Sequence, residues 1–406
     1  MSASVGHRSS HACLLRDVST ASTRPTRRFD AIVVPASRPS LQRVISLSAA
    51  LAAPVVLLCS RAAHVDRIAD RVEATFGARA LIVDIPDGYR LWDVGRLTSD
   101  STFIEASAGR SSDLSVKRNI GLMLARLCGW AKILFIDDDI HALHWQDIAR
   151  LAGQLDRHPV AALATRCFPD NSVVCHARRL AGLGQDVFVS GAVLGVNTRD
   201  HALSFFPDIY NEDWFFFAQH AAERSLPKAG IARQDEYAPF ADPMRAAHEE
   251  FGDLLAEGLF ALFDSTPGWS FNDQLTAAAS VRYWERFRDD RVRMIAATRE
   301  RLFEQSLGIS APTIESAVEC LRHAEKELKK IDADLCLHFI ESWQVDHREW
   351  QRMLPSNGTR LSEREALSEL GLDRWVACGH GMRRASSEPR RMPEPEPLLD
   401  AAGVVG

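Results

Sequence analysis

Lysine is scarce in this chain: six lysines stand against 42 arginines in 406 residues. Each lysine therefore carries some weight, Lys117 among them. An excess of positive charge is also missing. The formal net charge of −6 does not imply a broad surface for nucleic acid. The eight cysteines are scattered and form no Cys-x-x-Cys pair. Cys167 and Cys175 are too isolated for a zinc site, and reduced thiols in the cytoplasm are the simpler expectation. Long apolar runs are absent too. The longest, Val44 to Cys59, is broken by Ser46, Ser48 and Pro54. It falls short of the roughly 20 residues that span a bilayer. Residues 1–28 are rich in Ser and Arg without an apolar signal core, and the expectation is a disordered or mis-started N-terminus. No internal repeat occurs.

What is present is a rhythm. Apolar runs at Phe29 to Pro39, Pro54 to Cys59 and Ala80 to Asp84 alternate with helical patterns at Leu41 to Ala52 and 62–76. That alternation predicts an α/β fold with a mostly parallel sheet flanked by helices. Segments 85–112, 166–185 and 224–247 read as loops. The 281–354 stretch is strongly helical, and 378–406 is rich in Gly, Ser, Arg, Pro and Glu, as in disordered chains. From Ile314, apolar positions 314, 318, 321, 328, 331 and 335 recur near 3–4 spacing. This is the pattern of a helical hairpin or of a seam joining two copies of the chain.

The centre of the chain is Lys132 to Asp139, where four apolar residues run into Asp137, Asp138 and Asp139. A strand of this kind is buried on both faces and ends at the carboxyl edge of the sheet, where open α/β folds place ligands. Three adjacent carboxylates repel one another unless a hard cation such as Mg²⁺ or Mn²⁺, with phosphate oxygens, neutralises them. The plainer alternative is a cap for the following helix. Lys117, Arg118 and Asn119 occupy the first turn of the preceding helix. Basic groups there oppose the helix dipole unless they meet an anion. Ser190 and Gly191 interrupt the apolar run 186–197, as at a bend or a close backbone approach. Glu212 and Asp213 sit between aromatic clusters, where a carboxylate is either a raised-pKa base or a helix cap. His248 opens a later helix.

In this order the motifs resemble those of GT-A-fold, nucleotide-sugar-dependent glycosyltransferases, family-2-like, over roughly residues 29–265. The resemblance implies a GT-A domain at 29–275, with a C-terminal α-helical region at 281–375 as an appendage. It implies that Asp137 and Asp139 hold Mn²⁺ or Mg²⁺ with His248 as third ligand, Asp137 also meeting the donor. It places Pro35, Ser37, Arg38 and Asp84 at the nucleotide, and Lys117, Arg118 and Asn119 near the diphosphate. Ser190 and Gly191 would lie under the donor sugar, and Asp213 would deprotonate the acceptor hydroxyl. The donor would be a UDP- or GDP-sugar. The acceptor is not specified, and inverting and retaining outcomes both stay open. Two other functions fit part of the pattern. A sugar-phosphate nucleotidyltransferase shares the sheet and the acids, but Val34 to Pro39 lacks the glycines of its first loop. A non-catalytic assembly protein would not need Asp137, Asp139 and Asp213.

Overall fold

Four short apolar strands form the middle of the sheet, and their order creates the site. The computed structural model describes residues 6–20, 25, 27–166, 168, 171–184, 188–304, 309–379 and 381–386. Its strands are β1 (Leu15–Asp17), β2 (Ala31–Ala36), β3 (Val55–Cys59), β4 (Arg79–Asp84), β5 (Lys132–Ile136) and β6 (Ile140–Leu143). They continue with β7 (Val160–Arg166), β8 (Val189–Asn197), β9 (Leu226–Gln234), β10 (Trp375–Gly379) and β11 (Met382–Ala385). The first helices are α1 (Gln42–Leu51), α2 (Val65–Ala74), α3 (Ser101–Ala106), α4 (Leu114–Cys128), α5 (Trp145–Gln154), α6 (Val173–Leu180), α7 (Glu212–Phe216) and α8 (Ala218–Ala222). There follow α9 (Pro243–Ser265), α10 (Phe271–Ala278), α11 (Val281–Glu304), α12 (Ala311–Leu328), α13 (Ala333–Met353) and α14 (Glu363–Glu369).

All these strands belong to one mixed sheet, and β4, β3, β2 and β5 are parallel neighbours in its centre. From β2 the chain steps outward through β3 to β4, then returns to place β5 on the other side of β2. The strand order reverses between β2 and β5, which makes their carboxyl ends a topological switch point. The β2–β5 ladder is short, covering only Ala31 to Val33. Ile32 donates to Pro54 and Ala36 accepts from Ser60, so the even residues of β2 face β3. Pro35 therefore faces β5, where its ring offers no N–H for a further rung. The ladder stops at Val33, below the switch-point crevice where such sheets place ligands.

The central strands are buried on both faces, as their unbroken apolar runs require. Val33, Leu58, Val83 and Phe135 lie in one core with α4 and the helices from α9 to α13, while Ile32, Leu57, Ile82 and Leu134 face α1, α2 and α5. The C-terminal helices share this core with the sheet. Ile314, Val318, Leu321, Leu328 and Ile331 are buried in the first core together with Phe251 of α9 and Phe339 of α13, so the apolar seam is filled within the chain. Arg291 of α11 ties that helix to α9, donating to both oxygens of Glu250 (2.6 and 2.9 Å) and to Asp253 (2.7 Å), all buried.

Several expected loops contain structure. Segment 85–112 holds α3, 166–185 holds α6 and 224–247 holds β9. The segment expected as a disordered N-terminus carries β1, which pairs in parallel with β9, and a buried His11 that meets Glu257 at 3.0 Å. At the start of the region expected as a disordered tail, β10 pairs antiparallel with β4 and β11 pairs antiparallel with β10, extending the sheet. Residues 1–5 and 387–406 lie outside the described residues. No helix among the described residues is long and apolar enough to cross a membrane, and the described cysteines are free. Cys167 lies outside the described residues.

Two predictions follow from the interior. Arg291→Ala strands two buried carboxylates and is expected to cost about 3–5 kcal/mol in urea unfolding. His176 of α6 is buried against Phe168 and Tyr237. Burial, reinforced by Arg179 and Arg245, pushes its pKa down from 6.5 to about 3. A depressed histidine favours the fold fully above the unfolded pKa and loses that contribution as pH falls through the folded one. Stability should therefore decline from pH about 6.5 toward 3, and His176→Phe should flatten that slope in thermal melts.

Candidate functional site

The switch point brings together the ends of β2, β5 and β8. Antiparallel pairing sets Ile136 of β5 opposite Val193 of β8, and the amide of Asp137 donates to Ala192. The amino end of β8, with Ser190 and Gly191, therefore lies beside the aspartates. Across the crevice, Asp138 takes hold of the loop after β2. One of its oxygens accepts from the Ser37 amide (2.8 Å), the Ser37 hydroxyl (3.2 Å) and the Arg38 amide (3.0 Å). Its other oxygen meets Arg38 Nε at 3.2 Å. Asp138, to which the sequence gives only a capping or supporting role, is thus what shapes the Ser37–Arg38 loop. The Arg38 side chain is half exposed and also donates to Asp139 Oδ2 at 3.0 Å. Pro35 is buried within β2 and acts on the crevice through its missing amide rather than by facing it.

Lys117, Arg118 and Asn119 are all buried but point to different partners. Lys117 Nζ donates to Ala36 O (2.9 Å) and Ser60 Oγ (2.6 Å) and pairs with Asp113 (3.1 Å). Its three donors match three protein acceptors, so it braces the ends of β2 and β3 instead of waiting for an anion. Asn119 exchanges two 2.8 Å hydrogen bonds with the backbone of Phe206 and fixes that segment. Only Arg118 reaches the aspartates. Its Nη2 lies 2.9 and 3.0 Å from the two oxygens of Asp137, and its Nη1 lies 2.5 Å from Glu212. Gly191 makes room for it, since a Cβ there would stand 2.5 Å from Arg118 Nη1.

Asp213, in the first turn of α7, accepts from the Gly191 amide (2.5 Å) and from its own neighbour Trp214 (2.9 Å). Five carboxylates (Asp137, Asp138, Asp139, Glu212, Asp213) thus share two guanidiniums, those of Arg38 and Arg118. Burial pushes Asp139 up to about 6, and the charge of Asp137 adds to this. Burial likewise raises Glu212 and Asp213 from their ordinary values, and Arg118 only partly offsets it. Burial opposes the charge of Arg118 itself, but Asp137, Glu212 and Asp213 outweigh it and hold the guanidinium charged.

Asp84, at the end of β4, lies on the far side of β3. It borders a cleft of ≈ 510 Å³ with Ser60, Arg61, His64 and Arg374, whose Nη1 is 3.4 Å away. This cleft and the aspartates share one edge of the sheet. His248 of α9 does not join Asp137 and Asp139. Among the described residues no three His, Cys, Asp or Glu side chains are grouped to hold a metal ion. A cation would nevertheless meet a suitable group in Asp139, whose Oδ1 is buried without a hydrogen-bond partner. Asp137 is the poorer donor, since both its oxygens already face Arg118. The sequence reading missed Gln234, which donates to Asp139 Oδ2 at 3.0 Å. It lies in a segment read as a loop, and no sequence signal marked it.

Arg118→Lys is expected to weaken the site even though charge is kept, because one ammonium cannot span Asp137 and Glu212 as the planar fork does. Gly191→Ala should act in the same direction by displacing the fork. Both changes are checked by thermal melts, with a loss of roughly 1–3 kcal/mol expected for overpacking at Gly191. No protein-family model matches this chain, and no curated protein matches its sequence.

Proposed function

We propose that the chain is a metal-dependent glycosyltransferase of the GT-A kind, moving a sugar from a nucleoside-diphosphate donor to an acceptor hydroxyl. The observation that carries this reading is the convergence at one switch point of Asp137 to Asp139, the Ser37–Arg38 loop and Asp213 held beside Gly191. Ligands of open α/β sheets bind at such points. The cleft bordered by Asp84 and Arg61 would take the nucleoside, and the half-exposed Arg38 would meet the diphosphate.

Asp139, with Asp137, would hold a Mn²⁺ or Mg²⁺ ion, which when bound supplies Lewis-acid stabilisation of the leaving diphosphate. The protein's own groups do the rest. Asp138 keeps the Ser37–Arg38 loop in place, and Arg118 holds Asp137 and Glu212 apart from one another in a fixed geometry. The two amide donors fix the Asp213 carboxylate and leave further lone pairs for an incoming hydroxyl. Its raised pKa makes it a stronger base than an exposed aspartate, and a positioned base contributes about 10²–10⁴-fold.

The nucleotidyltransferase alternative has less support. The loop after β2 folds Ser37 and Arg38 around a carboxylate, with no glycine cradle for a triphosphate. Wild-type protein is expected to bind UDP or GDP only with Mn²⁺ present and to transfer or hydrolyse one sugar from a panel of UDP- and GDP-sugars. Asp139→Ala should lose the Mn²⁺-dependent part of nucleotide binding in calorimetry. Asp213→Asn should keep donor binding and lose transfer by about 10²-fold or more. Full transfer by Asp213→Asn would remove it as the base.

A further inference from the structure

Beside the aspartates lies a pair of buried oxygens that no hydrogen-bond donor among the described residues satisfies. Asp139 Oδ2 receives two donors, Arg38 Nη2 and Gln234 Nε2, each at 3.0 Å. Asp139 Oδ1 receives none, and neither does Gln234 Oε1. Gln234 is 6% exposed and Asp139 9%, so water does not reach them freely. A buried acceptor without a partner costs about 1–3 kcal/mol. Two of them on contacting side chains mark a place built for something that accepts lone pairs.

The orientation of the Gln234 amide is set by chemistry. Its Nε2 faces a carboxylate, which only accepts, so its carbonyl oxygen must be the free end. Its position is set by the sheet. Ile140 of β6 pairs with Gln234 of β9, and the Asp235 amide donates to Asp139 O at 2.9 Å. Backbone hydrogen bonds thus hold the glutamine beside the aspartate, with no flexible loop involved. The surrounding charge favours a cation over a neutral donor, since the charges of Asp137 and Asp138 act on Asp139. Hard divalent ions take carboxylate and side-chain amide oxygens alike.

We infer that Gln234 Oε1 is a direct ligand of the divalent cation, with Asp139 Oδ1 as its charged companion, in the place that the resemblance gave to His248. The inference rests on the metal-dependent reading above and adds to it a neutral ligand from β9. A neutral amide in place of an imidazole makes a harder, all-oxygen set, which suits Mg²⁺ and Mn²⁺ better than Zn²⁺.

The test follows Mn²⁺ binding through the EPR signal of the free ion, using the full chain, alone and with UDP or GDP. Gln234→Met keeps the side-chain length and removes the oxygen, and affinity should fall roughly tenfold or more. Gln234→Glu loses the donor to Asp139 but keeps an oxygen for the ion, so binding should equal or exceed that of wild type. His248→Ala should bind like wild type. Circular dichroism melts confirm that each variant is folded. Unchanged binding by Gln234→Met overturns the inference. Equal weakening in Gln234→Glu and Gln234→Met overturns it too, since a residue that only positions Asp139 would behave that way. Wild-type protein that binds no Mn²⁺ in either arm would overturn the metal-dependent reading itself.

Discussion

The structure depends on one buried cation. Arg118 is 2% exposed and carries the only guanidinium that touches both Asp137 and Glu212 among the described residues. Through it, α4 is joined to the end of β5 and to the start of α7. A buried charge without partners is prohibitively costly, and so are buried carboxylates without a cation. Each group therefore makes the others tolerable. The glycine at 191 belongs to the same arrangement, because the guanidinium occupies the space a side chain would take. Two carboxylates still lie close by without a full share of positive charge, Asp139 and Asp213. These two carry the proposed chemistry.

A second set of buried charges performs the same service away from the crevice. Helix α9 turns Glu249, Glu250, Asp253 and Glu257 inward. Glu249 accepts from the Val173 amide, Glu250 from Arg291, Asp253 from Arg291 and Asn211, and Glu257 meets His11. The helix thus collects partners from α6, from the residue before α7, from α11 and from the N-terminal segment. Asn211 stands at the N-cap position of the helix that carries Asp213, and its side chain is given to Asp253 rather than to a cap hydrogen bond. The start of α7 is thereby tied to α9.

The central sheet was legible because β2, β3, β4 and β5 are unbroken apolar runs, and the crevice was legible because Asp137 to Asp139 end one of them. What hid the rest has physical causes. β9 contains Pro227, Lys228 and Gly230, so neither alternation nor an apolar run betrays it, and Gln234 was hidden with it. Lys117, Arg118 and Asn119 looked equivalent, yet successive helix residues turn by about 100°. Three neighbours must face three directions, and only the packing of α4 selects Arg118. The apolar spacing after Ile314 was real, but spacing does not say whether the matching surface belongs to another chain or to α9. The N-terminal segment looks disordered by composition, but a few residues, Leu14 and His11 above all, anchor it.

The proline in β2 decides what kind of bond joins the two strand ends. The backbone rung that would continue the ladder is chemically absent at Pro35 in every ionisation state. What spans β2 and β5 there is the Asp138 carboxylate, through the Ser37 and Arg38 amides and the Arg38 guanidinium. That join is made by one side chain, so replacing it loosens the Ser37–Arg38 loop and leaves the ladder below it intact.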